Sequence, residues 1–278
     1  MFRSLTNFQQ RFFMGLLGIA LLAGIIILSH KEPFQLLFVA SVALIQALAL
    51  SEYYNMAKRK ACTPQSYLGI TASVLWVFLS YFYPQNAHLG LFLFALLALT
   101  FSGLFKNSPN ALANAASTLF GVVYITIPMA FFIDINYKTN TSFWIVYLIT
   151  VTKMTDTSAY IAGKTAGRHL LVPKLSPKKT WEGAIAGLVA PSVTSVIFLW
   201  VANLYAEYDF SHLEAALFGL SIGAFAQIGD LAESLLKRDV DIKDSNSLPG
   251  FGGFLDIIDS LIFTTPLVLF WLKMKHML

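Results

Sequence analysis

Long apolar runs separated by short polar or basic stretches dominate this chain. They fall at about residues 11–29, 34–54, 66–83, 88–105, 112–133, 142–163, 183–205, 213–232 and 257–274. Each is close to the roughly 20 residues that cross a bilayer core as a helix. Inside lipid every backbone N–H and C=O must be satisfied within its own segment, so runs of this kind are expected as helices and not as open strands. The pattern therefore predicts an all-α, polytopic integral membrane protein with about nine transmembrane helices. Thr63-Pro64, Tyr83-Pro84 and Ser108-Pro109 punctuate the ends of runs, because the residue before a proline is pushed toward extended backbone. Tyr53, Tyr54, Tyr81, Phe82 and Tyr83 stand where interfacial aromatic belts are expected.

Composition agrees with the pattern. The chain is 56% hydrophobic and 12% charged, with a mean hydropathy of +0.66, whereas soluble domains carry roughly 25% charge. A net charge of +4 and a pI near 9.0 could point to nucleic acid. The basic residues, however, lie in short loops between apolar runs, where an anionic lipid surface explains them, and a nucleic-acid partner is not expected. The single cysteine, Cys62, excludes an internal disulfide and gives no sign of a structural zinc site. Arg3 and Arg11 precede the first run without a small-residue cleavage site, which predicts a retained first span.

The lysines and arginines also orient the chain. With the N-terminus in the cytoplasm, 14 of the 19 fall on that side, four (Lys31, Lys138, Lys273 and Lys275) fall opposite, and Lys153 lies inside a run. Nine spans and an external C-terminus are the consistent solution. Residues 1–140 are chemically quiet and are expected to be a transmembrane scaffold; residues 141–278 are expected to form the catalytic region of one continuous membrane domain.

Three polar constellations break the apolar background. Lys153, Asp156 and Tyr160 are spaced i, i+3, i+7 within the sixth run and share one helical face. A lone mid-bilayer charge costs about 2.5–3.5 kcal/mol, so these residues are either a self-neutralising packing pair or part of a site. The stretch from Gly163 to Gly183 carries Lys164, Arg168, Lys174, Lys178 and Lys179, with Ser176 and Thr180 flanking the paired lysines. Ammonium and hydroxyl groups in that order suit phosphate oxygens, and an ordinary positive-inside loop is the plainer alternative. The Gly-x-x-x-x-Gly-Lys spacing of a P-loop is absent.

The third constellation, Asp230 to Ser260, gathers seven of the chain's 15 carboxylates (Asp230, Glu233, Asp239, Asp241, Asp244, Asp256 and Asp259) and three cations (Lys237, Arg238 and Lys243). Asp230, Glu233 and Lys237 fall at i, i+3, i+7, and Asp256 and Asp259 at i, i+3. Hard oxygen ligands from two helix ends suit Mg²⁺, which takes one or two carboxylates and completes its octahedron with water and substrate phosphates. Leu248-Pro249-Gly250-Phe251-Gly252-Gly253 between them is a turn that lets backbone approach a ligand. Capping of the following helix by Asp256 is the structural alternative.

At these residues the sequence resembles the phosphatidate cytidylyltransferases, the membrane enzymes that make CDP-diacylglycerol. Ser234, Lys237-Arg238, Lys243-Asp244, Pro249-Gly250, Gly252-Gly253, Asp256 and Asp259 follow that family's signature in order. Asp156-Thr157-Ser158-Ala159-Tyr160 and Ser176-Pro177-Lys178-Lys179-Thr180-Trp181-Glu182-Gly183 are similar to its other shared strings. Phe251 stands where the usual pattern has His, Ile257 where it has Arg, and the loop after Lys243-Asp244 is one residue short.

The resemblance implies transfer of the cytidylyl group of CTP to phosphatidate, giving CDP-diacylglycerol and pyrophosphate for phospholipid biosynthesis, with Mg²⁺ as cofactor. It implies Asp230, Asp256 and Asp259 as metal ligands, and these with Lys237 as the catalytic set. Asp156, Ser176, Lys178, Lys179, Thr180, Arg238, Lys243 and Asp244 are implied in substrate binding. The site is expected on the cytoplasmic face of a bacterial inner membrane, in a chain compatible with a homodimer. The nearest rival reading is a CTP-dependent lipid kinase of the dolichol or phytol kinase type; a secondary transporter would instead place polar groups near the midplane of both halves.

Overall fold

The computed structural model describes residues 20–83, 89–105, 109–204, 210–243, 245 and 252–278. Helices follow one another as α1 (residues 20–28), α2 (Phe34–Arg59), α3 (Ser66–Phe82), α4 (Leu89–Leu104), α5 (Ala111–Gly121), α6 (Ile127–Lys138) and α7 (Phe143–Ala166). A two-stranded ribbon, β1 (Leu170–Val172) and β2 (Ser176–Thr180), leads into α8 (Trp181–Ala202), α9 (His212–Asp239) and α10 (Phe254–Met274).

Five stretches are long and apolar enough to cross a membrane: Phe34–Arg59, Ala111–Lys138, Trp181–Ala202, His212–Asp239 and Phe254–Met274, with Ser66–Phe82 and Leu89–Leu104 as shorter apolar helices. The chain is an all-α integral membrane protein; the five long stretches, counted among the described residues, are fewer than the nine spans expected. Ala111–Lys138 is one continuous span in which a π turn, Val122–Thr126, joins α5 to α6. Pro128, in the first turn after it, lacks an N–H and crowds the carbonyl four residues back, and the wider turn accommodates both.

Two boundaries differ from the hydropathy pattern. Helix α9 runs on to Asp239, past the end of its apolar run, because Glu233 and Lys237 pair one turn apart and Lys237 and Arg238 suit the negative end of the helix dipole. The basic stretch before α8, expected as a loop, is the antiparallel ribbon, with Leu170 opposite Thr180 and Val172 opposite Ser176.

The described residues fall into two compact units. One takes in those up to Ser142 together with Val240–Ile258; the other takes in Phe143–Asp239 and Asp259–Leu278. Buried polar groups tie the helices of the first unit. Tyr54 donates to the Thr118 carbonyl at 2.9 Å, Gln46 Nε2 to the Ser73 carbonyl at 2.9 Å, and the Ser73 and Thr126 hydroxyls meet at 2.7 Å. Water cannot offer partners in a bilayer core, so such groups are satisfied between helices.

In the second unit, α8 and α9 approach closely across small residues. A side chain at Gly219 would press to 2.6 Å from Ser195 Cβ, and one at Gly223 to 2.7 Å from the Gly187 carbonyl. Ser192 and Ser195 then reach across to the Ala216 and Ala215 carbonyls at 2.7 and 2.6 Å. With the Ser195 proton so committed, the buried Tyr147 hydroxyl donates to Ser195 Oγ at 2.6 Å, linking α7 to the same contact. This packing holds α7, α8 and α9 as the frame on which the charged residues stand.

Candidate active site

Three carboxylates converge in the second unit. Asp230 and Glu233 project from one face of α9, Asp259 enters from α10, and one oxygen from each lies within 4.8 Å of the others. Glu233 is 1% and Asp259 7% exposed. Two backbones must come close to bring them together. Gly229, next to Asp230, faces α10 so tightly that an added Cβ would sit 2.5 Å from the Asp259 carbonyl oxygen and 3.1 Å from Ser260 Cα.

Cations line the same place. Lys179, from β2, sits 2.5 Å from Asp230 Oδ2, and Lys237 sits 2.5 Å from Glu233 Oε2. On α7, Lys153 binds Asp156 Oδ2 at 3.1 Å and Ser260 Oγ on α10 at 3.1 Å. Asp156 lies within electrostatic range of Asp230 and Lys179, and Asp259 within range of Asp230, Lys153 and Asp156. Four elements of one unit thus supply a single charged cluster.

Its charge balance is informative. At an effective dielectric of 20, two carboxylate charges 4.8 Å apart repel by about 3 kcal/mol, and the three acids form three such pairs. Lys179 pairs with Asp230, Lys237 with Glu233 and Lys153 with Asp156, while Asp259 lies within electrostatic range of Asp230 and Asp156 on one side and of Lys153 on the other. Opposite oxygens of a Mg²⁺ octahedron are about 4.2 Å apart. An all-oxygen set of three carboxylates spread over 4.8 Å therefore fits a hard divalent cation.

The structure separates the sequence-predicted residues by what they touch. Asp230, Asp259, Lys179, Lys237 and Asp156 belong to the cluster just described. Adjacent strand residues point to opposite faces, so Lys178 is exposed while its neighbour Lys179 turns toward Asp230. Thr180 Oγ1 accepts from Gly183 N at 3.1 Å and so caps α8. Ser176 holds the far end of the ribbon opposite Val172. Arg238 Nε donates to the Leu175 carbonyl at 3.2 Å, and Lys243 is exposed. Asp244, Pro249, Gly250 and Phe251 lie outside the described residues.

Asp256, in the first unit, is not one of the three clustered carboxylates. Its Oδ2 accepts from Gly253 N at 2.6 Å, Ser245 N at 3.2 Å and Ser245 Oγ at 2.8 Å, which closes the first turn of α10. Gly252 enters that turn at φ +77°, where a side chain would be strained and would crowd Asp256.

Two acids gain a place that the pattern did not assign them. Glu233 shares the Asp230 face by its i, i+3 spacing, and only the structure shows it in the carboxylate trio. Glu52 sits in the half expected to be scaffold. It is 5% exposed on α2, and its carboxylate accepts from Phe254 N, Leu255 N and Ser245 Oγ. A lone acid at the end of a long apolar run was the available signal.

Residues 9–275 match the cytidylyltransferase family. The chain is 35% identical to the phosphatidate cytidylyltransferase of Bacillus subtilis, over 97% of this chain and 99% of that protein. It is 31% identical to the phosphatidate cytidylyltransferase of Synechocystis, over 94% and 95% of the two chains. Its identity to that of Staphylococcus haemolyticus is 33%, over 90% and 94%.

Proposed function

This chain belongs to the cytidylyltransferase family, and from that membership and the clustered charges we infer that it transfers the cytidylyl group of CTP to phosphatidate, yielding CDP-diacylglycerol and pyrophosphate. The observation that carries the reading is the carboxylate trio of half-buried Asp230 with buried Glu233 and Asp259, flanked by Lys179 and Lys237 in a membrane protein. The reaction brings two polyanions together. A phosphate oxygen of the lipid forms a bond to the α-phosphorus of CTP while the bond from that phosphorus to the bridging β-oxygen breaks, and pyrophosphate leaves with that electron pair. Phosphatidate is already a charged nucleophile, so positioning and charge neutralisation suffice without a general base.

We assign a Mg²⁺ site to Asp230, Glu233 and Asp259, whose oxygens fit it in chemistry and spacing. When bound, such an ion offsets the charge on the phosphate oxygens. The protein's own part is to hold the acids on two rigid helices and to present the Lys179 and Lys237 ammonium groups beside them. Asp156 keeps Lys153 directed at Ser260, next to Asp259, and adds a third cation to that edge. Exposed Lys178 on the ribbon and Arg238 beside its turn stand where a lipid headgroup or triphosphate would arrive. The excess of Lys and Arg in alternate loops supports a cytoplasmic-facing site in a bacterial inner membrane.

The rival CTP-dependent lipid kinase would move a different phosphate, so the position of the label separates them. Detergent-purified protein given phosphatidate, Mg²⁺ and CTP labelled at the α-phosphorus is expected to make a labelled lipid and equimolar pyrophosphate. With the label at the γ-phosphorus the lipid stays unlabelled. Label appearing in lipid only from γ-labelled CTP would establish phosphoryl transfer and overturn the cytidylyl assignment.

A further inference from the structure

We propose that Glu52 is a positioning residue for nucleotidyl transfer, setting the start of α10 and with it the carboxylates that this helix carries. The proposal rests on the cytidylyltransferase reading above. A carboxylate buried on an apolar helix is costly unless its oxygens are fully used, and both Glu52 oxygens accept hydrogen bonds at the start of α10. Oε1 accepts from Phe254 N at 3.0 Å, while Oε2 accepts from Leu255 N at 2.9 Å and lies 2.8 Å from Ser245 Oγ.

The two amides belong to the first turn of α10, the positive end of its dipole, where a negative charge is favoured. An apolar residue could fill the same volume on α2, but it could not fix these N–H groups in direction. The Ser245 hydroxyl lies 2.8 Å from both Glu52 Oε2 and Asp256 Oδ2. Its single proton serves one at a time, so it works as a joint between two carboxylates on different elements. Asp256 adds the Gly253 amide at 2.6 Å. Glu52 and Asp256 thus take up successive N–H groups, those of Gly253, Phe254 and Leu255, immediately before the turn that leads to Asp259. Asp259 follows on the same helix within about one turn of these amides, so the regularity of that first turn bears on it through continuous backbone, and a misplacement of about 1 Å can cost about a hundredfold in rate.

The test compares wild type with Glu52→Gln in the CTP-to-phosphatidate assay, alongside hydrogen exchange of the segment 252–258. Glutamine keeps the volume but loses the charge and turns an NH₂ toward one of the donors. The expected result is a fall in kcat of about 10- to 100-fold, with KM for CTP and phosphatidate held within about twofold and faster exchange confined to that segment. A merely structural role would lower the yield of folded protein and leave kcat per folded molecule alone. If the glutamine variant does not accumulate, Glu52→Asp, which keeps the charge but shortens the reach, carries the same expectation with a smaller loss. Unchanged kcat or unchanged exchange in whichever variant folds overturns the proposal. A wild-type protein with no transfer activity overturns the reading beneath it, and is told apart because the exchange difference at 252–258 persists without any substrate.

Discussion

Asp259→Asn is expected to insert and fold normally while turning over about a hundred- to a thousandfold more slowly, the range for removing one preorganised electrostatic group from a reaction centre. The side chain is 7% exposed, within 4.8 Å of the Asp230 and Glu233 oxygens, and on the helix facing theirs. Asparagine preserves its volume and the Oδ1 acceptor that the Ser260 amide uses. What goes is one negative charge. Two of the three repulsive pairs vanish with it, each worth about 3 kcal/mol before screening, so the variant should melt no lower than wild type and is expected to melt higher. Loss of activity with a gain in thermal stability is the signature of strain kept for function. A parallel fall of both in thermal melting and turnover assays would instead make Asp259 a packing residue.

The second large effect is expected from a residue without a side chain. Gly229→Ala places a methyl group 2.5 Å from the Asp259 carbonyl oxygen and 3.2 Å from its carbonyl carbon. The obstacle is backbone and not a flexible side chain, so α9 and α10 must move apart. Overpacking of this kind costs about 1–3 kcal/mol, and the displacement falls on Asp259 and Ser260 themselves. Turnover is expected to drop about 10- to 100-fold, with a lower melting temperature measured on the same preparation. Its thermal response should therefore be opposite to that of Asp259→Asn. Wild-type turnover in Gly229→Ala would show that the close approach of the two helices is not what places the acids.

The helices were legible because hydropathy alone decides them. In lipid an apolar run of span length has no other way to satisfy its backbone, and the described parts of the nine runs are helical except for one or two residues at the ends of some of them. The face shared by Asp230, Glu233 and Lys237 followed from spacing in the same way. The ribbon did not. Its strands are three and five residues long, one of them Ser-Pro-Lys-Lys-Thr, too short and too polar to carry a strand pattern in the sequence. Since a strand alternates, Lys178 and Lys179 part company, and a pair that looked like one phosphate clamp is one exposed cation and one partner for Asp230.

Glu52 marks a different limit. Its hydrogen-bond partners lie 193 to 203 residues further along the chain, and a spacing rule built on helical turns cannot reach that far. The sequence offered only an acid out of place at the end of an apolar run. The work of Asp256 was similarly ambiguous, because a carboxylate at a helix start reads equally as a cap or as a ligand; its Oδ2 contacts with Gly253 and Ser245 are those of a cap, and one carboxylate can serve both ends.

The carboxylate trio as a divalent-cation site is tested most directly by titrating Mn²⁺ or Mg²⁺ into detergent-purified protein without nucleotide or lipid. Wild type is expected to bind the ion, and Asp259→Asn to bind it at least about tenfold more weakly, the loss that follows removal of groups that shape a metal site. Equal affinity in the two proteins would contradict the account, because Asp230, Glu233 and Asp259 would then not be sharing an ion.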